Sequence, residues 1–247
     1  MPRAQQRQTI EGPFGELLAA PDTNGQSPPH FHSTFAIGVG RSGSGTLFAR
    51  DRAWRYSEGM VVVTNPYEPH WGRPDPGGVG YSLLYPRLGW LSALLGDEAM
   101  HFQSPVIDDP ALADRLLKAF DAVAERNDVS LLGEAVVVLF RRHARFRPSA
   151  ARPSIAAPAA ADGAIASSAA EAGLSRSYYS RKHRQATGLS PLDYRRQARV
   201  LAARAMIEAG AGLAAAAADA GFADQAHMSR QFRQILGVTP GAYRRQG

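Results

Sequence analysis

Residues 218–246 read ADAGFADQAHMSRQFRQILGVTPGAYRRQ and repeat the pattern of residues 170–197, which read AEAGLSRSYYSRKHRQATGLSPLDYRRQ. With one residue inserted near Ala223, the two stretches share 13 identities over 28 positions. The shared residues include a Gly near the start, a Ser-Arg pair in the middle and a Tyr-Arg-Arg run near the end. Agreement of this extent in so short a chain indicates an internal repeat, and therefore a structural unit that occurs twice.

Each copy of the repeat predicts a short helix, a turn and a second helix. Gly173 and Gly221 supply the backbone freedom that a turn between two steeply crossing helices requires. Ser175 and Asp224 follow as N-caps, because their side-chain oxygens accept hydrogen bonds from the free N–H groups that begin a helix. The sequence therefore predicts two helix-turn-helix motifs.

The second helix of each motif has one apolar and one polar face. A spacing of four residues places Tyr179 with His183, and Met228 with Phe232, so we expect these side chains to be buried. The opposite faces carry Arg, Gln, Ser and Ala. Arg and Gln can donate to base edges, and small side chains let a helix approach them closely, so these faces suit reading of the DNA major groove.

The segment between the copies predicts a rod that sets their separation. Residues 191–209 form a 19-residue helix in this interpretation, beginning at a Pro suited to a first turn and ending before Gly210. Its length of ~28 Å is close to the ~34 Å of one DNA turn. Two recognition helices at its ends could enter successive major grooves. The alternative is an ordinary helical bundle with surface arginines.

The charge of the chain is concentrated in this region. Residues 1–153 contain 16 Lys and Arg and 16 Asp and Glu, whereas residues 154–247 contain 12 basic and 6 acidic residues. The whole net charge of +6 therefore belongs to the C-terminal part. A basic module beside a neutral one favours binding of a polyanion, and a merely solvated basic surface is the alternative.

Composition excludes several classes of protein. The chain has no Cys, which excludes disulfides, thiolate nucleophiles and Cys-ligated metal centres. No stretch approaches the ~18–20 consecutive apolar residues of a membrane span, and the N-terminus leads into no apolar run of a secretion signal. We therefore expect a soluble, cytoplasmic protein with no membrane contact.

The N-terminal part has a different pattern of apolar and polar residues. Residues 30–86 alternate apolar and polar residues in short runs separated by turn residues, which predicts a small β-sandwich or barrel. Helical patterns follow at 111–126 and 130–146, and their apolar stripes either cover the barrel or pair between subunits. The Pro, Ala and Ser-rich residues 146–161 indicate a connector. We therefore predict an effector and dimerisation domain over 1–150, a linker over 151–161 and a DNA-binding domain over 162–247.

The C-terminal region resembles the AraC/XylS-type DNA-binding domain over about residues 162–246, and its second copy matches the family signature almost throughout. The resemblance implies a transcriptional regulator that binds double-stranded promoter DNA. Its base-reading positions correspond to Ser177, Ser180 and Arg181 in the first copy and to Gln225, Ala226, His227 and Arg230 in the second. Contacts to phosphate are expected from Arg176, Arg184 and Arg233.

Three positions depart from the family pattern. Ser168 replaces a core aliphatic residue, His183 replaces Phe, and Ala216 replaces a branched aliphatic residue. The first two changes lie in the first motif, which we expect to be less stable or less selective than the second. The third is expected to thin the packing of the second motif.

The N-terminal part resembles, less specifically, the cupin-like sensor domain of such regulators. The residues that support this are Pro29-His30-Phe31-His32, Gly59 before the VVVTNP run, and Pro69-His70-Trp71. Three imidazoles could bind zinc or iron, but Ala36 and Ile37 occupy the positions of the cupin Glu ligand. Sensor cupins of this family usually hold no metal, so the resemblance implies neither a metal nor another cofactor.

Residues expected to line or rim an effector pocket are His30, His32, His70, Trp71, Tyr81 and Tyr85. The alternatives are that the two earlier His lie on an exposed strand edge and that the aromatic side chains simply fill the barrel.

Together these features predict an α+β protein of two domains: a cupin-like β-barrel with following helices, and an all-α domain with two helix-turn-helix motifs. The predicted function is sequence-specific transcriptional regulation, with a small-molecule effector in the barrel controlling promoter binding. We expect no catalytic residue, a homodimer, and contact with RNA polymerase if the protein activates. The alternative is a metal-dependent cupin enzyme, such as a dioxygenase or isomerase, fused to a DNA-binding module.

Overall fold

A computed structural model describes residues 8–23, 25–96, 100–146, 168–170 and 172–244. The chain divides into two compact units: unit 1 contains residues 1–28 and 34–151, and unit 2 contains residues 29–33 and 152–247. Unit 1 is rich in strands and unit 2 is helical, which confirms the predicted order of a β-rich and an all-α domain. The predicted linker over 151–161 lies outside the described residues.

Most strands of unit 1 form one seven-stranded antiparallel sheet. Its strands are β1 (Gln8–Gly12), β2 (Gly15–Thr23), β3 (Ala36–Ala49), β4 (Arg52–Ser57), β5 (Val61–Thr64), β6 (His70–Pro86) and β8 (Val106–Ile107). Their order is β1-β2-β6-β3-β5-β8, and β4 pairs with β3. A separate two-stranded ribbon pairs β7 (Met100–Phe102) with β9 (Ala144–Phe146).

The long strands β3 and β6 run through the middle of this sheet, and their register shifts at a glycine-rich bulge. Gly43 lies at the bulge with φ +70°, and a Cβ there would collide with the carbonyl oxygen of Gly78 on β6. Glycine is therefore required at this position by both the backbone conformation and the close approach of the two strands.

Three helices follow or interrupt the strands of unit 1: α1 (Leu88–Leu95), α2 (Pro110–Arg126) and α3 (Ser130–His143). The predicted apolar stripe of α2 is confirmed, because its members Leu112, Leu116, Phe120 and Val123 are all buried. They pack in one cluster with side chains of the sheet such as Leu84. The stripe of α2 therefore covers the sheet, which was one of the two predicted uses.

The last predicted helix of unit 1 ends earlier than its pattern suggests. Helix α3 ends at His143, and residues 144–146, expected to be helical, form strand β9. The backbone of β9 pairs with β7, a partner more than forty residues away. This distant pairing is invisible to local periodicity.

Unit 2 contains α4 (Arg176–Thr187), α5 (Pro191–Glu208), α6 (Leu213–Asp219), α7 (Gln225–Leu236) and α8 (Pro240–Arg244), and residues 168–170 are also helical. The predicted rod is α5. It begins at Pro191 after Ser190, whose Oγ accepts a hydrogen bond from the Asp193 amide at 3.1 Å. It ends at Glu208, one residue before the predicted end, and spans ~27 Å.

Helix α5 contributes side chains to two separate clusters. Its C-terminal half contributes Val200 and Ile207 to a cluster with Met228 and Phe232 of α7. Tyr194 near its N-terminal end and Leu201 near its middle belong to a second cluster, joined by Leu189 and Phe31. Ala216, predicted to thin the packing, is fully buried in the first of these clusters.

Phe31 reaches unit 2 from the N-terminal part of the sequence. It belongs to segment 29–33, is only 3% exposed, and stacks on the Tyr194 ring with centroids 4.4 Å apart. Next to it, Nε2 of Gln197 donates to the Pro29 carbonyl at 3.4 Å. A short segment from the sensor half of the chain is therefore part of the core around the first motif.

No helix in the described ranges is long and apolar enough to cross a membrane.

Candidate nucleic-acid interface and ligand-binding region

The two helix-turn-helix motifs turn in the same way. Gly173 and Gly221 adopt left-handed φ values of +67° and +76°. The next residues, Leu174 and Phe222, each donate their amide to the carbonyl five positions earlier, at 2.8 and 2.9 Å. This pattern closes a helix at a residue that glycine accommodates without strain, as predicted for both copies.

Each recognition helix then begins at the predicted cap. Oγ of Ser175 accepts a hydrogen bond from the Tyr178 amide at 3.3 Å, and Oδ1 of Asp224 accepts one from the His227 amide at 2.6 Å. The side-chain oxygens satisfy amides in the first turns of α4 and α7. Turn and cap together give the two recognition helices equivalent starts.

The inward faces of α4 and α7 are those predicted. Tyr179 and His183 of α4 are buried, and Met228 and Phe232 of α7 are also buried. These side chains orient each helix so that its polar face points to solvent. The predicted DNA-binding residues Arg176, Ser177, Arg181, Arg184, Gln225, Ala226, Arg230 and Arg233 are exposed, and Ser180 and His227 are partly exposed.

The exposed faces are cationic and contain no counter-charge. Neither α4 nor α7 contains an Asp or a Glu. Within the described ranges, the guanidinium groups of Arg176, Arg184, Arg230 and Arg233 have no hydrogen-bond acceptor or ion-pair partner. Unpaired guanidinium groups on a solvent-facing helix are suited to bind phosphates and guanine edges.

Tyr178 is a surface feature of α4 that sequence reasoning missed. The residue is 39% exposed, and the Arg181 Cζ and the Lys182 Nζ each lie 5.8 Å from the centroid of its ring. Cation–π contacts of this kind hold both cations near the ring. The spacing of three and four residues along the helix was the signal that could have shown it.

His227, predicted to read a base, has a second role. Its ring packs edge-on against Phe222 with centroids 5.4 Å apart and planes at 89°. The ring is half-buried by this contact, so only part of it faces solvent at the start of α7.

His183 fills a buried site in the first motif. Its Nδ1 lies 2.9 Å from the Leu189 carbonyl oxygen, and its ring meets Tyr194 edge-on at 5.6 Å. Its Nε2 is buried and has no hydrogen-bond partner in the described part of the chain. Burial lowers the pKa of His183 below its usual value, against a smaller opposing effect of the Leu189 carbonyl.

Four predicted effector residues lie on β6 of unit 1. His70 is buried with Nδ1 2.9 Å from the Glu68 carbonyl oxygen, and Trp71 stacks nearly parallel on Phe48 of β3 at 5.1 Å. Tyr81 and Tyr85 are half-buried. They alternate with the core residues of β6, so they lie on the sheet face that points away from the α2 and α3 core.

Tyr81 has an aromatic neighbour on this face. Burial raises the pKa of Tyr56 on β4, and the proximity of Tyr81 raises it further. Tyr56 was not among the predicted ligand residues, and its pairing with β3 at Gly45 depends on a register that sequence alone does not reveal.

The other two predicted effector residues, His30 and His32, belong to unit 2. They flank Phe31 in segment 29–33 and precede β3, and their rings meet edge-on with centroids 4.9 Å apart. The structure therefore distributes the six predicted ligand residues between the two units.

Two family models match the chain. The model of the AraC-like ligand binding domain matches residues 14–139, and that of a helix-turn-helix domain matches residues 168–246. The first spans more than half of the chain. Among curated proteins, none matches this sequence.

Several solved structures are similar to all or part of this chain. ToxT from Vibrio cholerae is 11% identical, with 97% of this chain and 98% of that chain covered and a TM-score of 0.48. The DNA-binding domain of AdpA in complex with a target DNA is 31% identical over 34% of this chain and 78% of that chain, with a TM-score of 0.33. The C-terminal domain of AraT from Geobacillus stearothermophilus is 26% identical over 35% and 73%, with a TM-score of 0.33.

Proposed function

The chain belongs to the AraC family of DNA-binding transcriptional regulators with an N-terminal ligand-binding domain, and we propose that α4 and α7 bind successive major grooves of promoter DNA. Arg181 and Arg230 donate to base edges in this proposal, and Arg184 and Arg233 bind flanking phosphates. The observation that carries the proposal is the pair of exposed, carboxylate-free cationic helices, each set by the same turn and cap.

The rod α5 supports the use of both helices at once. It spans ~27 Å, and its two ends pack against the first and second motifs through separate clusters. A span near the ~34 Å repeat of DNA suits two recognition helices on one face of a duplex.

We place the effector in unit 1, on the sheet face that carries Tyr81 and Tyr85 of β6, with Trp71 further along the same strand. Half-buried aromatic side chains on a face that does not form the core support this position. An effector changes DNA binding only to the extent that it binds the DNA-competent and DNA-incompetent states with different affinity. Replacing Tyr81 with Ala should therefore weaken effector control while leaving effector-free DNA binding unchanged.

We also propose that the protein is a homodimer in the cell's cytoplasm and contacts RNA polymerase if it activates. Val129 and Leu131 at the start of α3 are 48% and 44% exposed, and α1 exposes Leu88, so apolar surface is available to a second copy. Sedimentation of the full chain as a monomer would contradict the dimer.

We propose that the protein regulates without catalysing a reaction. Ile37, one of the two residues at the cupin Glu position, is buried in the apolar core of unit 1, and Ala36 has no ligating atom. Stoichiometric iron or zinc in the purified full-length protein would instead favour the cupin-enzyme alternative.

The test of the DNA interface is the salt dependence of binding to a random-sequence duplex. Each lost phosphate contact lowers the slope of log affinity against log salt by about 0.9. The double change Arg184→Ala and Arg233→Ala should therefore flatten the slope by about 1.8. Arg115→Ala with Arg126→Ala on α2 removes the same charge from unit 1 and should leave the slope unchanged. An unaltered slope for the first pair would place the DNA elsewhere.

A further inference from the structure

Unit 1 contains a pocket at the C-terminal end of α3, separate from the sheet face assigned to the effector. Its volume is about 450 Å³, within the ~300–1,000 Å³ typical of small-molecule sites. It lies between the end of α1, the β7–β9 ribbon and the last turn of α3. Apolar side chains form most of its surface: Leu94, Leu95, Met100, Phe140, Ala144 and Phe146.

The apolar part of the pocket has a firm floor and an open wall. Phe140 is buried and packs edge-on against Phe102 and Phe35, so the floor belongs to the core of unit 1. Phe146 on β9 is 62% exposed and forms part of the wall. A ligand with an apolar body would remove the Phe146 ring and the Met100 thioether from water, which is favourable in proportion to the area covered.

Two guanidinium groups complete the pocket, and none of its described lining residues is an Asp or a Glu. They belong to Arg141 on α3 and Arg145 on β9. Nη1 of Arg145 donates to the Ala144 carbonyl at 2.9 Å and to the Arg142 carbonyl at 3.3 Å, which holds its planar group in place. In the part of the chain that the structure describes, Arg141 has no hydrogen-bond acceptor or ion-pair partner.

We propose that this pocket binds a small molecule that joins an apolar body to a single carboxylate. Guanidinium groups form strong, charge-assisted hydrogen bonds to carboxylates, and both Arg141 and Arg145 line this pocket. The apolar floor then takes the body of the ligand. The charge complementarity of the two cations selects an anionic small molecule over a purely apolar occupant.

The position of the pocket offers a way for a bound ligand to control promoter binding. Strand β9 ends at Phe146, and in the sequence unit 2 resumes at residue 152. A ligand that holds Arg145 and Phe146 therefore orders the last described element of unit 1. The consequence for promoter binding rests on the proposed function, whereas the binding of the ligand does not.

The experiment is calorimetric titration of the full-length protein with 2-naphthoate and with its neutral analogue 2-naphthalenemethanol. We expect the acid to bind at least tenfold more tightly, because charge-assisted hydrogen bonds contribute more than neutral ones. The double change Arg141→Ala and Arg145→Ala should weaken binding of the acid at least tenfold and barely affect the alcohol. Arg126→Ala on α2 is the matched control and should change neither affinity.

A second variant separates loss of the site from loss of the fold. Met100→Trp fills the pocket with a bulky side chain and should abolish binding of both compounds, with the thermal midpoint of unfolding monitored alongside. Equal affinity for acid and alcohol, or full binding to the Met100→Trp protein, would overturn the proposal. Absence of acid binding together with a change of oligomeric state in Met100→Trp would also overturn it, in favour of a second copy as the occupant.

Promoter binding measured in the same samples distinguishes the two proposals. If the protein binds DNA but does not bind 2-naphthoate, the pocket proposal fails and the proposed DNA-binding function is unaffected. If 2-naphthoate binds with the expected dependence on Arg141 and Arg145, the pocket is supported, whether or not promoter affinity changes.

Discussion

Arg230 is the residue on which base reading by the second motif most depends. It is exposed in the middle of α7, and the buried side chains of Met228 and Phe232 orient this helix. Arg230→Ala should reduce affinity for an operator about 5- to 150-fold, which corresponds to ~1–3 kcal/mol, and should relax the preference at one base pair. Competition binding against a random duplex measures both effects.

Arg233→Ala is the control on the same helix, since a phosphate contact supports all sequences equally. It should weaken operator and random duplex by the same factor. If Arg230→Ala also weakened both equally, Arg230 would be a phosphate contact and the assignment to base reading would be wrong.

His183 should make the first motif sensitive to acid. Burial lowers its pKa in the folded protein below the usual 6.5, so stability is complete above about pH 6.5. As the pH falls below this value, the unfolded chain takes up a proton that the folded chain resists, and stability is lost. His183→Phe should remove this loss, so its thermal midpoint should exceed the wild-type midpoint by a margin that grows from pH 7 to pH 5.

Thr187 makes this substitution tolerable, because its hydroxyl lies 3.1 Å from the same Leu189 carbonyl that His183 contacts. Tyr179→Phe is a matched change at a neighbouring buried ring and should keep the wild-type pH dependence. If the thermal midpoints of wild type and His183→Phe differed by the same amount at every pH, His183 would not titrate in this way.

Among the elements of the fold, segment 29–33 contributes most to the first motif from far away in sequence. Phe31 supplies one of the four buried side chains of the cluster around Tyr194. Phe31→Ala should cost about 3 kcal/mol of local stability and raise amide exchange in α4 and the start of α5, with α7 unaffected. Phe31→Leu keeps an apolar side chain and should lose less. Equal exchange in α4 for wild type and Phe31→Ala would contradict this role.

The elements that sequence predicts well are those set by local rules. Gly173 and Gly221 at turns, Ser175 and Asp224 at caps, and Pro191 at the start of α5 all act within a few residues of themselves. The helix spacing of buried residues in α2, α4 and α7 is local in the same sense. These features therefore fix the fold class and both recognition helices.

What sequence does not predict depends on distant partners. Strand β9 forms because β7 lies beside it, and Phe31 is buried because Tyr194 receives it. The pocket with Arg141 and Arg145 exists only where α1, the β7–β9 ribbon and α3 meet. No periodicity within any one segment reveals these contacts.

At the scale of the whole molecule, the chain combines a ligand-binding domain with a helix-turn-helix DNA-binding domain. The predicted separation of effector sensing from DNA binding follows the distribution of charge. Residues 1–153, which are neutral overall, contain the sheet, and residues 154–247, which are basic overall, contain the recognition helices. The exception is segment 29–33, which the residue order assigns to the sensor and the structure assigns to unit 2.

The most direct test of paired groove reading is selection of bound sites from random duplex DNA by the full-length protein at near-physiological salt. We expect a motif of two blocks about 10 base pairs apart, with Arg181→Ala erasing one block and Arg230→Ala the other. Enrichment of a single block that Arg181→Ala does not alter, or no enrichment with or without effector, would contradict the reading of DNA by both helices.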